Sequence, residues 1–144
     1  MGTSLYDKDV FAWANEQAAL LRAGKFSALD IEHVAEEIED VGKSELRELA
    51  SRMAVLLAHL LKWQYQPDRR GASWEATIKA QRLDVSYLLN EAPSLKSKLS
   101  DMAWMRVVWT HAVAQAVNET GINVFPEFCP WTTEQVLNTS FFPA

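Results

Sequence analysis

Apolar residues recur at intervals of three and four along most of the chain, and turn-forming residues separate the periodic segments. This spacing places apolar side chains on one face of an α-helix. Glycine and proline mark where the segments end, for example at Gly24, Pro67 and Gly121. The pattern predicts five helices, each with a polar N-cap: Asp7 to Gly24, Asp30 to Gly42, Ser44 to Gln66, Ser73 to Ala92 and Ser94 to Thr120.

The segment after Gly121 contains three prolines and predicts one short helix, over 133–138 with Thr132 as its N-cap. No stretch of five or more residues alternates apolar and polar positions between turn signals, so no strand is predicted. The sequence therefore predicts an all-α fold, an antiparallel helical bundle of about five helices with an irregular C-terminal segment. Its length suits a single helical domain over residues 1–144.

The second and third predicted helices differ in how their apolar residues are distributed. Between Met53 and Leu61 only His59 is polar, which predicts a helix that contacts neighbours on several sides. The helix before it has one apolar stripe centred on Ile38, which we expect to face the core. The stripe consists of Ile31, Val34, Ala35, Ile38 and Val41.

The fifth predicted helix is apolar on more than one face. One face carries Met105 and Trp109. Trp104, Val107 and Val108 lie towards another. An outward apolar face is usually covered by another protein surface, most often a second copy of the chain. We therefore predict a homo-oligomer or a protein partner, with Trp104 and Val108 among the contact residues.

The composition of the chain bears on its partners and on its location in the cell. The net charge of −5 disfavours nucleic-acid binding, which depends on phosphate neutralisation by Lys and Arg. The single cysteine, Cys129, cannot form an internal disulfide, and no apolar leader opens the chain, so a cytoplasmic location is predicted. The longest apolar stretch, 53–61, is far shorter than the roughly 20 residues of a membrane span, so no membrane association is predicted. We expect Cys129 to pack rather than react.

Four carboxylates crowd the predicted end of the second helix: Glu36, Glu37, Glu39 and Asp40. The negative end of a helix dipole would repel them there. In a structural interpretation, the start of the next helix and nearby arginines hold these acids. In the alternative, Glu37, Asp40 and His59 bind a divalent metal ion, and a metal-bound water is the nucleophile of a hydrolase. The structural interpretation predicts no cofactor.

The segment 62–82 has five basic residues against two acidic ones, interleaved with aromatic residues such as Trp74. Basic and aromatic side chains together could hold phosphates and stack on bases, so nucleic-acid binding is a further alternative. Residues 30–48 carry eight acidic residues and two basic ones, which favours pairing within the protein instead. We therefore expect Arg69, Arg70 or Arg82 to form an ion pair with the acidic cluster.

The motifs of several enzyme classes are absent: there is no Gly-rich phosphate loop, G-x-S-x-G, Cys-x-x-Cys or H-E-x-x-H. The polar side chain of His59, inside an apolar helix, is more often a satisfied core histidine than a ligand. The leading interpretation is therefore a small helical protein-interaction module that self-associates through its fifth helix.

The stretches "LYDKDVFAWANEQAALLRAGKF", "EEIEDVGKSE", "LLAHLLKWQYQP", "SWEATIKAQR", "EAPSL" and "FPEFCPW" occur in this order along the chain. Together they resemble domain-of-unknown-function family 29, a group of bacterial proteins common in cyanobacteria. The resemblance spans essentially the whole chain and implies an all-helical domain of this length. It implies no established activity, so no catalytic residue can be carried over from it.

Overall fold

The computed structural model describes residues 4–144, and their regular structure is helical. The α-helices are α1 (Leu5–Lys8), α2 (Val10–Arg22), α3 (Ile31–Tyr65), α4 (Ala72–Glu91), α5 (Met102–Thr120) and α6 (Thr133–Leu137). Short 3-10 segments cover Phe26–Ala28, Pro67–Arg69 and Pro93–Ser100. Because residues 4–144 contain no strand, the predicted all-α class is confirmed.

The chain divides into two compact units, Met1–Glu45 and Leu46–Ala144, which we call the N-terminal unit and the C-terminal unit. Helix α3 contributes residues to both. The prediction of a single domain stays a prediction. Within the described residues, no helix combines the length and the apolar character needed to cross a bilayer.

The C-terminal unit is built around the second half of α3. The apolar run from Met53 to Leu61 is almost entirely buried, as the sequence predicts for a helix with neighbours on several sides. Helices α4 and α5 and the C-terminal segment supply the other core residues, including Ile78, Trp109 and Val136. Each fully buried side chain of this size stabilises the fold by about 1.5–3 kcal/mol.

Two contacts show the direction of α4 relative to α3. Arg52 of α3 donates a hydrogen bond to Asp84 of α4 at 2.8 Å. Ten residues further along α3, the Lys62 ammonium lies over the ring of Trp74, 5.2 Å from its centre. Because the residue number rises along α3 while it falls along α4, the two helices are antiparallel, as predicted.

Several helix ends lie where the sequence places them. Gly24 and Gly121 follow α2 and α5 with φ angles of +71° and +76°, a left-handed conformation that favours glycine. Helix α3 ends at Tyr65, before Pro67. Thr132 caps α6 through a capping box with Gln135.

The predicted break at Gly42 is wrong, because α3 runs without interruption from Ile31 to Tyr65. A glycine inside a helix costs only about 1 kcal/mol relative to alanine, which a long helix tolerates. Ser44 therefore caps nothing. The acidic cluster also lies in the interior of a helix, so neither the dipole repulsion at a helix end nor the amides of a following helix act on it.

At three other predicted N-cap positions, Asp7, Ser73 and Ser94, the helix begins at a different residue. Ser4 caps α1 and Asp9 caps α2, in place of Asp7. Gly71 precedes α4 in place of Ser73. The expected long fifth helix from Ser94 is replaced by the 3-10 segment Pro93–Ser100, and Asp101 then caps the shorter α5. At α2 two possible capping residues, Asp7 and Asp9, lie close together, and the sequence does not say which of them is used.

The N-terminal unit has a small buried interior. Among its described residues, Trp13 and Gln17 of α2 are buried. The expectation that the stripe around Ile38 faces the core is wrong, because Ile31 is 68% exposed and Ile38 and Val41 are each 67% exposed. The helix forms as predicted, but its apolar face is open.

Candidate functional site

An open groove runs between α3 and α5 in the C-terminal unit. Its volume is about 410 Å³, and we call it the α3–α5 groove. On the α3 side its wall includes the small residues Ala50 and Ala54. On the α5 side it includes Trp104, Val107 and His111. Because Ala50 and Ala54 are small, they leave open space between the two helices.

Only some of the α5 residues that were predicted to contact a partner are exposed to solvent. Val107 is 57% exposed at the groove and Trp104 is half-buried. Val108 also lines the groove but is only 2% exposed and belongs to the core, so its role as a contact residue stays a prediction. The periodicity placed it near the boundary between two faces, where one helical position decides burial.

A polar network lies one helical turn beyond residues of the groove. The ammonium of Lys62, which is only 6% exposed, donates a hydrogen bond to Glu119. The amide of Gln115, a groove residue, donates to the other oxygen of Glu119 at 2.9 Å. Burial raises the pKa of Glu119, but the hydrogen bonds from Lys62 and Gln115 outweigh it and hold the pKa below its usual value.

His59 lies beside this network. Its Nδ1 is 2.8 Å from the carbonyl oxygen of Val55. Because a carbonyl only accepts hydrogen bonds, Nδ1 carries the proton and Nε2 keeps its lone pair in the neutral ring. Burial lowers the pKa of His59, and the nearby Lys62 charge lowers it further, so the ring is neutral at pH 7. This geometry matches the interpretation of His59 as a packed histidine with a satisfied N–H.

Glu119 is absent from the sequence-based predictions. The available signal is Lys62, which directly follows the apolar run 53–61 and so falls in a buried position. A buried ammonium requires an acidic or polar partner, and only the fold reveals which acid supplies it.

The basic residues of segment 62–82 are largely used inside the C-terminal unit. The Arg82 guanidinium, 4% exposed, donates to the carbonyl oxygens of Val136 at 2.8 Å and Phe141 at 2.7 Å. It also donates to Thr139 at 3.5 Å. The expected ion pair between Arg82 and the acidic cluster is therefore wrong: this side chain anchors the C-terminal segment.

Two neighbouring predicted residues also have internal roles. Arg70 donates from Nε to the carbonyl of Trp63 at 2.6 Å and stacks on the Trp63 ring. Trp74 lies under the ammonium of Lys62. Arg69 and Lys79 are exposed. Since phosphate binding needs several exposed cations, this arrangement weakens the nucleic-acid alternative, and an ion pair from Arg69 or Arg70 to the acidic cluster stays a prediction.

One member of the acidic cluster, Glu37, takes part in an aromatic and polar network in the N-terminal unit. Tyr6 donates to Glu37 at 2.5 Å, and its ring stacks on His33 with centroids 3.9 Å apart. Asp30 accepts hydrogen bonds from the Trp13 indole at 3.0 Å and from His33 at 2.7 Å. We call these five residues the Tyr6–His33 network.

The network alters the titration of its members. The hydrogen bond to Glu37 raises the pKa of Tyr6 to about 12. The hydrogen bond with Asp30 raises the pKa of His33, and the same bond lowers the pKa of Asp30. The ion pair of His33 and Asp30 is therefore favoured near neutral and mildly acidic pH.

The structure adds no support to the metal hypothesis. Within residues 4–144, no group of three or more His, Cys, Asp or Glu side chains is arranged to hold a metal ion. Of the predicted ligands, Glu37 accepts the Tyr6 hydroxyl and His59 donates to a backbone carbonyl. Metal binding by Glu37, Asp40 and His59 stays a prediction.

Comparison with known proteins gives one informative result. No significant match was found among curated proteins or among solved structures. The sequence profile named Domain of unknown function DUF29 matches residues 5–142, nearly the whole chain. The resemblance seen in the sequence is therefore confirmed, and the chain belongs to the DUF29 family of domains of unknown function.

Proposed function

We propose that the protein is a small bacterial, cytoplasmic protein-interaction module that self-associates through α5 and the α3–α5 groove. The observation that carries the proposal is the exposure of apolar side chains along α5. Val107 is 57% exposed beside the groove. Met102 is 87% exposed but lies about 140° around the helix from Val107, so it belongs to a different face of α5. Side chains of this kind lose unfavourable contact with water when a second surface covers them.

Charge supports a second copy as the occupant of the groove. The C-terminal unit has ten Lys and Arg residues against nine Asp and Glu residues, so two copies of it meet with little net repulsion. The groove is also apolar along much of its wall, and its small α3 residues allow a helix to approach closely. A two-fold pair would place α5 of each copy against the groove of the other.

Sedimentation velocity of the full chain at several hundred micromolar tests the proposal. We expect a dimer for the wild type and a monomer for Val107→Glu, because the new carboxylate would be buried without a partner. Leu83→Glu on α4 is the matched control, since Leu83 is 69% exposed and does not line the groove. This variant should remain dimeric.

A wild-type protein that stays monomeric at that concentration would overturn the proposal. A Val107→Glu protein that remains dimeric would equally remove α5 from the interface. Circular dichroism of each variant establishes that the helices are intact before the comparison is made.

A further inference from the structure

The first half of α3 carries an apolar stripe that its own unit leaves open. With about 100° of rotation per residue, Val34, Ala35 and Val41 lie within roughly 60° of Ile38 around the helix axis. Ile31 falls within the same sector. Ile31, Ile38 and Val41 are each about two-thirds exposed, so the middle of this sector is open along three turns, whereas Val34 at its edge is half-buried.

The Tyr6–His33 network explains why this sector is open. Its α3 members His33 and Glu37 lie roughly 100–140° from Ile38, on one side of the stripe. Tyr6 of α1 stacks on His33 and donates to Glu37, so α1 contacts α3 on that side. The preceding helices of the unit are thus held beside the apolar stripe and leave Ile31, Ile38 and Val41 exposed.

Acidic side chains border the stripe on its other side. Glu32 and Glu39, two turns apart, both lie about 100–120° from Ile38 and are exposed. The N-terminal unit as a whole has ten Asp and Glu residues against four Lys and Arg residues. An apolar stripe with an acidic border is the complement of a helix that has an apolar stripe bordered by Lys or Arg.

We propose that the Ile31–Val41 face of α3 docks a basic amphipathic α-helix of a partner protein. The apolar residues of the partner would pack on Ile31, Ile38 and Val41, and its cations would lie against Glu32 and Glu39. A second copy of this face is disfavoured as the occupant, because two strongly acidic units would repel each other. This surface is separate from the α3–α5 groove and does not depend on the self-association proposed there.

The test uses two synthetic peptides of three heptads, with leucine at the two apolar positions and either lysine or glutamate at the flanking positions. Fluorescence anisotropy with the full chain measures their dissociation constants. We expect the lysine peptide to bind and the glutamate peptide not to bind. Ile38→Glu should weaken binding of the lysine peptide by about ten- to hundredfold, because one apolar contact is lost and a charge is buried.

A matched pair of charge reversals separates a docking site from general attraction to an acidic protein. Glu39 borders the stripe, whereas Glu36, three residues earlier and also exposed, lies about 160° from Ile38 on the opposite face. Glu39→Lys should weaken binding of the lysine peptide several-fold more than Glu36→Lys. Equal losses for the two variants, or equal affinity for the two peptides, would overturn the proposal.

Sedimentation velocity of the Ile38→Glu variant tests whether a second copy of the chain, rather than a basic partner helix, binds this face. If the wild type is dimeric and this variant is monomeric, the face binds a second copy and the proposal of a basic partner helix is wrong. If the variant keeps the wild-type state while peptide binding is lost, the face belongs to a basic helix, whatever the result for Val107→Glu.

Discussion

The two units of the chain use apolar residues of the same helix in opposite ways. In the C-terminal unit, the α3 residues Leu56, Leu57 and Leu60 are fully buried. In the N-terminal unit, the α3 residues Ile31 and Ile38 are two-thirds exposed, although their spacing is equally regular. Periodicity therefore shows which residues share a face, and burial shows whether that face has a partner within the described structure. Surfaces where the two disagree are the strongest candidates for function in a helical protein.

The units also differ in what stabilises them. Packing of aliphatic and aromatic side chains dominates the C-terminal unit. The Tyr6–His33 network of hydrogen bonds and ring contacts has that role in the N-terminal unit. Packing responds to cavities, whereas the Tyr6–His33 network responds to pH, so different perturbations should test these two contributions to stability separately.

The largest contrast is expected from shortening one apolar residue of α3 in each unit. Leu57→Ala should lower the free energy of unfolding by about 2–5 kcal/mol, because it leaves a cavity in a fully buried site. Ile38→Ala should change it by less than about 0.5 kcal/mol, because the side chain is mostly in water. Urea unfolding followed by circular dichroism measures both. A loss above about 2 kcal/mol for Ile38→Ala would show that this face is covered.

A smaller effect on stability is expected from a substitution at Gly42, which tests whether α3 is continuous at this position. Gly42 lies in the helix interior, and apart from the adjacent residues and the local helix backbone no atom lies within 4 Å of a Cβ added there. Gly42→Ala should stabilise the protein by about 0.5–1 kcal/mol, since alanine is the better helix former. Gly24→Ala is the opposite case, because its positive φ disfavours a side chain, and it should be destabilising. If thermal unfolding shows that Gly42→Ala also destabilises, the helix breaks at Gly42 as its sequence suggests.

The smallest expected effect is the pH dependence of the Tyr6–His33 network in the N-terminal unit. His33 has a raised pKa, so its contribution is complete below about pH 6.5 and is lost as the pH rises through the folded-state value. Asp30 has a lowered pKa, so its contribution is complete above about pH 4 and is lost as the pH falls through its folded-state value. The network should therefore be most stable between these limits.

The chemical shift of the Trp13 indole proton, which donates to Asp30, reports the state of this network. We expect it to titrate above pH 6.5 in the wild type and to stay constant in His33→Asn. His111→Asn, on an exposed site of α5, is the control and should titrate like the wild type. A constant shift in the wild type would mean that the His33–Asp30 pair does not control the position of Trp13.

The sequence predicts the helices well where local chemistry decides. Pro67 removes a backbone donor, Gly24 and Gly121 adopt positive φ, and the Thr132–Gln135 box satisfies free amides. Each of these is a property of a few adjacent residues. The break assigned to Gly42 fails because a glycine only weakens a helix, and the residues on both sides continue to favour it.

The candidate sites are harder to predict because their partners are distant in sequence. The Arg82 guanidinium binds carbonyl oxygens, which every residue possesses, so no side chain identifies them. Val108 was predicted at a surface, but its burial depends on where α3 lies against α5. Similarly, the apolar pattern around Ile38 could not show that α1 contacts a neighbouring face of the helix.

The anchoring of the C-terminal segment by Arg82 has a consequence for biosynthesis. Its acceptors on Val136 and Phe141 are 54 and 59 residues further along the chain. At about 5–20 residues per second, the ribosome adds them roughly 3–12 s after Arg82. During that interval a nascent chain has the residues of α4 but not the carbonyl oxygens that accept hydrogen bonds from the Arg82 guanidinium. The C-terminal unit therefore completes its fold only when residues 136–141 have left the ribosome, and this late step joins residues distant in sequence as α6 forms.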